Sequence, residues 1–257
     1  MTATIDSALA GRYDGRRGDD IALRLALPLV VAFDRVGSTL DIAHALAGEG
    51  ADAGSLVLAD AQTAGRGRLG RAWQSEAGAG LWLALIERPR DVAALDVLSL
   101  RIGLALATSL APFADSPVRL KWPNDVYLDD RKLAGVLVEV RWRDGDPEWA
   151  CIGVGINVRP PVGEIRGSGL RSGVVRLSVL ESVLPALRGA AACSGELTDA
   201  ELTQFAAIDL AAGRRCTEPV DGTVCGIDST GALVVLPAGS GSPVAIRAGS
   251  LVMAEDA

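Results

Sequence analysis

Between residues 118 and 158 the chain is a succession of short apolar segments with almost no room between them. Residues 118–122 run into Pro123–Asn124–Asp125, and residues 126–128 run into Asp129–Asp130. Residues 132–143 and 148–158 then flank DGDP at 144–147. Apolar and β-branched runs bounded by such turn signals read as strands, the last two as a hairpin with a longer loop. Parallel neighbours need a crossover of a dozen residues or more, so strands joined this closely must be antiparallel. The expected class is therefore α+β, a mainly antiparallel mixed sheet with helices against one face.

The flanking segments fit that frame. Residues 29–34, 55–60 and 80–87 read as further strands; the last, GLWLALIE, is apolar on both faces and belongs inside the sheet. Ser38, with Asp41 three residues on, resembles a capping box, and Leu40, Ala43, Leu46 and Ala47 give the following helix one apolar face before Gly48. Residues 91–110 carry Leu95, Leu98, Ile102, Leu106 and Leu110 at helical spacing and stop before Pro112. Residues 159–173 read as loop. Residues 177–192 and 196–210 read as two helices, the first kinked or interrupted by Pro185. After Gly213 the pattern shifts to short strands (223–227, 232–236, 244–248), a small β module expected to lean on the main domain. The expected domains are 1–212 and 213–257, and the first 20 residues read as a loose leader.

Composition excludes several functions. Hydrophobic residues make up 49% and charged residues 22% of 257, the profile of a folded domain. A net charge of -7 argues against a general nucleic-acid binder. Cys151, Cys193, Cys216 and Cys225 are widely spaced and His44 is the lone histidine, so neither a zinc site nor a disulfide scaffold is expected. The apolar run at 21–33 contains Arg24 and Pro28 and is shorter than the roughly 20 residues a membrane span needs. With no signal peptide and no such span, a cytoplasmic protein with reduced thiols is expected.

Against this acidic background, Arg66, Arg68 and Arg71 alternate with Gly65, Gly67 and Gly70, after Gln62 and Thr63 and before Trp73. Glycine lets the backbone approach closely, and arginine carries a fork of donors matched to carboxylate and phosphate oxygens. The stretch suits an anion; a basic surface loop is the plain alternative. Trp73 either covers apolar surface or stacks on a ring. Ser38 and Thr39 stand at a helix start, where orphan N–H groups suit a polar ligand, though either can simply be the cap. Lys121, Asn124 and Asp125 are followed closely by Lys132 and Gly135. An inward lysine there demands an anion; an outward one is an ordinary solvated residue. Gly153, Gly155 and Asn157 alternate along one strand, clearing a face for something to lie against; Asn157 then binds a ligand or a metal's water shell, or caps a turn. GxxxxGK[ST] is missing, and the GxGxxG at 65–70 lacks the helix and downstream acid of a dinucleotide site.

GST-x-D at 37–41, AQTAGRGRLGRAW at 61–73, KWPNDVYLDDRKLAGVLVE at 121–139 and GVGINV at 153–158 together resemble the catalytic domain of bacterial biotin protein ligases, or biotin–[acetyl-CoA-carboxylase] ligases. The resemblance implies a class II synthetase-like fold with a C-terminal SH3-like β barrel. It implies ATP and biotin as substrates, Mg²⁺ near the phosphates, biotinyl-5′-AMP as intermediate, and a lysine of a biotin carboxyl carrier domain as acceptor. It would place biotin on Ser38, Thr39, Gln62, Gly65, Arg66, Arg68, Lys132, Gly135 and Gly153, and ATP on Arg71, Trp73, Lys121, Asn124 and Asn157. Lys132, Arg66 and Arg68 would carry the chemistry. Asp125 would take the acceptor lysine's proton, or form a salt bridge to Lys121 or Arg131. Leu40 departs from the family's usual asparagine. Only 28 residues precede the first expected strand, so the chain resembles the short, enzyme-only class without a DNA partner, monomeric or homodimeric. The rival readings are a lipoate or octanoate ligase and a non-catalytic regulator that holds biotinyl-AMP.

Overall fold

The computed structural model describes residues 11–89, 91–163 and 166–254. Its centre is a sheet of seven strands among these residues: β3 (Val30–Val36), β4 (Leu56–Gln62), β5 (Gly80–Glu87), β6 (Val118–Lys121), β7 (Asp125–Leu128), β8 (Arg131–Arg143) and β9 (Asp146–Asn157), which follow β1 (Arg12–Tyr13) and β2 (Arg16–Arg17) in the chain. The spatial order is β3-β4-β5-β9-β8-β7-β6. Only β3 and β4 are parallel, joined through a helix, α2 (Thr39–Gly48). The expected antiparallel, mixed character is present. β5 is buried on both faces between β4 and β9, as its continuous apolar run demands. The β8–β9 hairpin is tighter than expected: Arg143 pairs with Asp146 across Asp144 (φ 53°) and Gly145 (φ 93°). Asp-Gly is the pair that accepts two positive φ angles, and it replaces the expected longer loop.

Helices cover both faces, not one. α3 (Val92–Leu110) and α4 (Arg176–Ala191) pack on the face that carries Val30, Leu56, Leu58, Leu83 and Leu85. On the other face Leu40, Ala43 and Leu46 of α2 meet Val31, Val57, Ala84 and Ile86. α3 is long and apolar enough to cross a membrane by length and composition alone, but half of that stretch is buried inside the protein as its core helix. Asp91 caps it by accepting from the N–H groups of Ala93 and Ala94. α4 runs unbroken through Pro185, which is exposed and removes one hydrogen bond from the helix. The expected capping box of α2 does not form: Ser38 holds the N-cap position without a side-chain cap bond, and Asp41 turns to Arg66.

Residues 11–20 are not a loose leader; residues 1–10 lie outside the described set. β1 and β2 form a small hairpin that leads into α1 (Gly18–Leu25). Tyr13 is buried and donates its hydroxyl to the carbonyl of Gly80 at 3.1 Å. Arg176 lies over its ring and pairs with Asp14 and, at 2.6 Å, with Asp60. Burial of the phenol raises its pKa above the ordinary value, with Arg176 opposing. One aromatic residue among charges anchors a segment that composition marks as loose.

The C-terminal strands β10 (Arg215–Glu218), β11 (Gly222–Ile227), β12 (Leu233–Pro237), β13 (Val244–Ile246) and β14 (Val252–Met253) follow α5 (Asp199–Ile208). They form an open sheet in the order β13-β12-β11-β10-β14, not the expected SH3-like barrel. The end strands have three and two residues and do not pair with each other. Closure is not needed to bury the apolar face, because Cys216, Val224, Val235, Leu251 and Met253 join the core of the large sheet. Trp122 donates its indole N–H to Gly231 at 2.9 Å, and Leu197 donates its backbone N–H to Ser229.

Candidate active site

A cleft of about 500 Å³ opens on the α2 side of the large sheet, within the range of small-molecule sites. Gly135 pairs with Gly155 in the β8–β9 register and Gly153 lies two residues along, opposite Leu137, so these glycines clear much of its floor. The cleared face is partly refilled: a Cβ on Gly155 would lie 2.5 Å from Trp73 Nε1, and one on Gly153 would lie 2.9 Å from Leu40 Cδ1. The walls are the start of α2, the Arg/Gly loop, the β6–β7 turn and residues 250–252 of the C-terminal sheet.

The Arg/Gly loop is a narrow hairpin. Arg66 faces Ala72, Trp73 donates its N–H to Gly65, and Leu69 (φ 56°) and Gly70 (φ 73°) make the tip. Gly65 does not line the cleft. A Cβ there would sit 2.5 Å from the carbonyl oxygen of Trp73, so this glycine lets the two arms close. Gln62 braces the root: its Oε1 accepts from the backbone N–H (2.8 Å) and hydroxyl (3.1 Å) of Thr39, and its Nε2 donates to Ser75 Oγ (2.8 Å). Ser38 Oγ and Trp73 Nε1 are buried without a hydrogen-bond partner, two polar atoms that a bound ligand would satisfy.

Six basic side chains line the cleft, Arg66, Arg68, Arg71, Lys121, Lys132 and Arg166, against one acid, Asp125, among the described residues. On a chain of net charge -7 this concentrates positive potential at one place. Lys132 Nζ lies 2.7 Å from Asp125 Oδ1 and 5.0 Å from the centre of the Trp73 ring. Asp125 therefore pairs with Lys132, a partner beyond the two expected for it. Lys121 lies over Tyr127 at 5.7 Å, and Arg71 donates to Ser250 Oγ at 3.3 Å. Burial depresses the pKa of the Arg68 guanidinium below its ordinary value; Asp125 opposes this and Arg71 adds to it. An arginine held under those conditions gains from an incoming anion.

Arg66 is held by two carboxylates. Its Nη1 lies 2.6 Å from Asp41 Oδ1, and its Nη2 lies 3.3 Å from Glu139 Oε2. The amide of Asn124 donates to the carbonyl of Val136 and that of Asn157 to the carbonyl of Lys132, so both staple cleft strands together. The expected residues thus converge on one cleft, Gly65 excepted. Sequence reading missed Arg166 and residues 250–252. Arg166 arrives because its carbonyl accepts from Lys132 N–H at 2.7 Å, and residues 250–252 because the C-terminal sheet folds back; neither has a local signal.

A mainly antiparallel sheet with a glycine-floored cationic cleft at the start of a crossover helix is the arrangement of the biotin-ligase-like, class II synthetase fold. The sequence profile of the biotin/lipoate A/B protein ligase family matches residues 32–157, just under half of the chain. The chain is 48% identical over 106 residues to the bifunctional ligase/repressor BirA of Escherichia coli, covering 41% of this chain and 33% of that one. It is 44% identical over 130 residues to the biotin–[acetyl-CoA-carboxylase] ligase of Mycobacterium tuberculosis, covering 48% and 47%. The solved biotin protein ligase of Aquifex aeolicus in complex with biotin and ATP superposes with a TM-score of 0.69 at 26% identity, over 87% of this chain and 97% of that one. The sequence matches span less than half the length of these curated relatives.

Proposed function

We propose that this protein is an ATP-dependent biotin–protein ligase. The observation that carries the proposal is the convergence of six cationic side chains on a glycine floor, with the floor and all of the six but Arg166 inside the family-matched segment. The Aquifex aeolicus relative, which binds biotin and ATP in its structure, supports the choice of substrates. In the first step a biotin carboxylate oxygen attacks the α-phosphorus of ATP; the new C(O)–O–P bond forms as pyrophosphate leaves. In the second, the ε-amine of a carrier-domain lysine attacks the acyl carbon, an amide forms and AMP departs.

Two anions must meet in the first step, and Lys132 and Arg68 offset their repulsion and stabilise the charge that builds at phosphorus. Ser38, Thr39, Gln62, Gly135 and Gly153 form the biotin end. Arg71, Trp73 and Lys121 form the nucleotide end, with Asn124 and Asn157 holding its floor. Asp125, already paired with Lys132, accepts the proton of the incoming amine. Among the described residues no cluster of three or more acids, histidines or cysteines stands together, and Asp125 is the cleft's single carboxylate. These residues do not form a cage for Mg²⁺, which enters as the counter-ion of ATP. The partner is a biotin carboxyl carrier domain, and the setting is the cytoplasm.

The protein incubated with ATP, biotin and a carrier domain should transfer biotin to one acceptor lysine. Parallel reactions with lipoate and octanoate should leave the acceptor unmodified. Modification by lipoate in preference to biotin would overturn the assignment.

A further inference from the structure

The Arg66 guanidinium is held by two carboxylates, and the groups behind one of them extend away from the cleft. Trp149 Nε1 lies 3.0 Å from His44 Nδ1, His44 Nε2 lies 3.0 Å from Glu139 Oε2, and the same Oε2 lies 3.3 Å from Arg66 Nη2. An indole N–H only donates, so Nδ1 of His44 must present its lone pair. The imidazole proton then sits on Nε2 and points at Glu139. The chain's lone histidine is thereby held in one tautomer, and it fixes the carboxylate that Arg66 grips. Asp41, from the first turn of α2, holds the other arm of the guanidinium at 2.6 Å.

We propose that the Arg66 side chain is a latch that straps the Arg/Gly loop to α2 and β8, and that His44 and Trp149 are positioning residues that set this latch through Glu139. Three observations support it. Both terminal nitrogens of Arg66 are used by carboxylates from two different elements. Drawing the guanidinium toward a bound anion would strand Asp41 and Glu139 beside that anion, which like-charge repulsion opposes. The backbone ties the loop to its neighbours at the root, where the N–H groups of Thr63 and Ala64 bond the carbonyls of Val36 and Gly37; Arg66 adds side-chain bridges beyond that root, and Arg71 adds one to Ser250. Burial lowers the Arg66 pKa, and the two carboxylates more than offset that and raise it above the ordinary value.

The inference rests on the ligase reading only for its kinetic readout. Two measurements on the whole protein separate the outcomes. Without ligand, amide exchange across residues 66–72 should be about three-fold faster in His44→Ala than in wild type, a modest factor because the pairs are partly exposed. With ATP and biotin, escape of biotinyl-adenylate should rise by a similar factor while the saturated adenylation rate is unchanged. Trp149→Phe, which keeps an aromatic ring and removes the donor, should give the same signature. His44→Gln, whose amide can again donate to Glu139, should restore wild-type values. In an Arg66→Ala background the His44→Ala change should add nothing, since partners in one network are not additive. Unaltered loop exchange in both single variants would overturn the latch, as would a His44→Ala effect that persists in full without Arg66. If wild type makes no adenylate, the ligase reading fails and the exchange measurement still decides the latch.

Discussion

Lys132 and Cys151 illustrate opposite uses of a polar group in the same sheet. Lys132 stands at the cleft with Asp125 at 2.7 Å and an aromatic face beside it. Replacing it with Ala should slow adenylate formation by about 10²- to 10³-fold, the usual scale for one electrostatic donor to a transition state. Pyrophosphate release would measure this, with circular dichroism expected to remain that of wild type. Cys151 is fully buried in β9, and burial, with Glu139 adding to it, pushes its thiol up to about 12 from an ordinary 9.0. Between those values the unfolded chain has lost this proton and the folded one keeps it. Stability must therefore fall as pH rises through that window, by at most about 1.4 kcal/mol per pH unit for one group. Urea unfolding of wild type and Cys151→Ala at pH 8 and pH 10 should show the smaller decline in the variant.

Among the elements, α3 is where packing and charge depend on each other most. Arg101 is 3% exposed in the middle of that helix, yet its donors are filled by Glu201 at 2.7 Å and by the carbonyls of Gly195 and Glu196. Arg101→Ala should lower stability by about 3 kcal/mol, the low end for a broken buried pair because Glu201 keeps some contact with water. Chemical denaturation reads this directly. Such a residue also marks the limit of reading sequence. The periodicity of 91–110 announces the helix, but an arginine turned inward looks no different from one turned out. Strand β5 was legible because an apolar run eight residues long has few other homes. The β1–β2 hairpin was not, because its anchor is one Tyr13 reaching Gly80 across the fold. In the site, Arg68, Trp73 and Lys132 were legible as unusual residue types in glycine-rich company. Arg166 was brought in by backbone pairing that has no composition of its own. The barrel was misjudged because strand runs do not say whether their ends meet or another surface covers them.

For the molecule as a whole, the two sheets share one apolar core through Cys216, Val224, Val235, Leu251 and Met253. A domain boundary at residue 213 drawn from composition therefore crosses continuous packing. Thermal unfolding of the full chain should give a single transition by both near-ultraviolet and far-ultraviolet signals. Removing residues 213–257 should lower the midpoint sharply and not merely delete one transition of two, because the face bearing Trp122 and Val97 would be laid open. Two separate transitions in the full chain would contradict this.

The cleft draws its first wall residue from Ser38 and its last from Val252. During synthesis the glycine floor and the loop leave the ribosome well before the wall that Arg71 touches at Ser250. A nascent chain halted after residue 212 would carry the cationic loop with nothing opposite it, and the nucleotide end of the cleft would be unfinished. The cleft is thus assembled only once the C-terminal sheet has folded back on the large one.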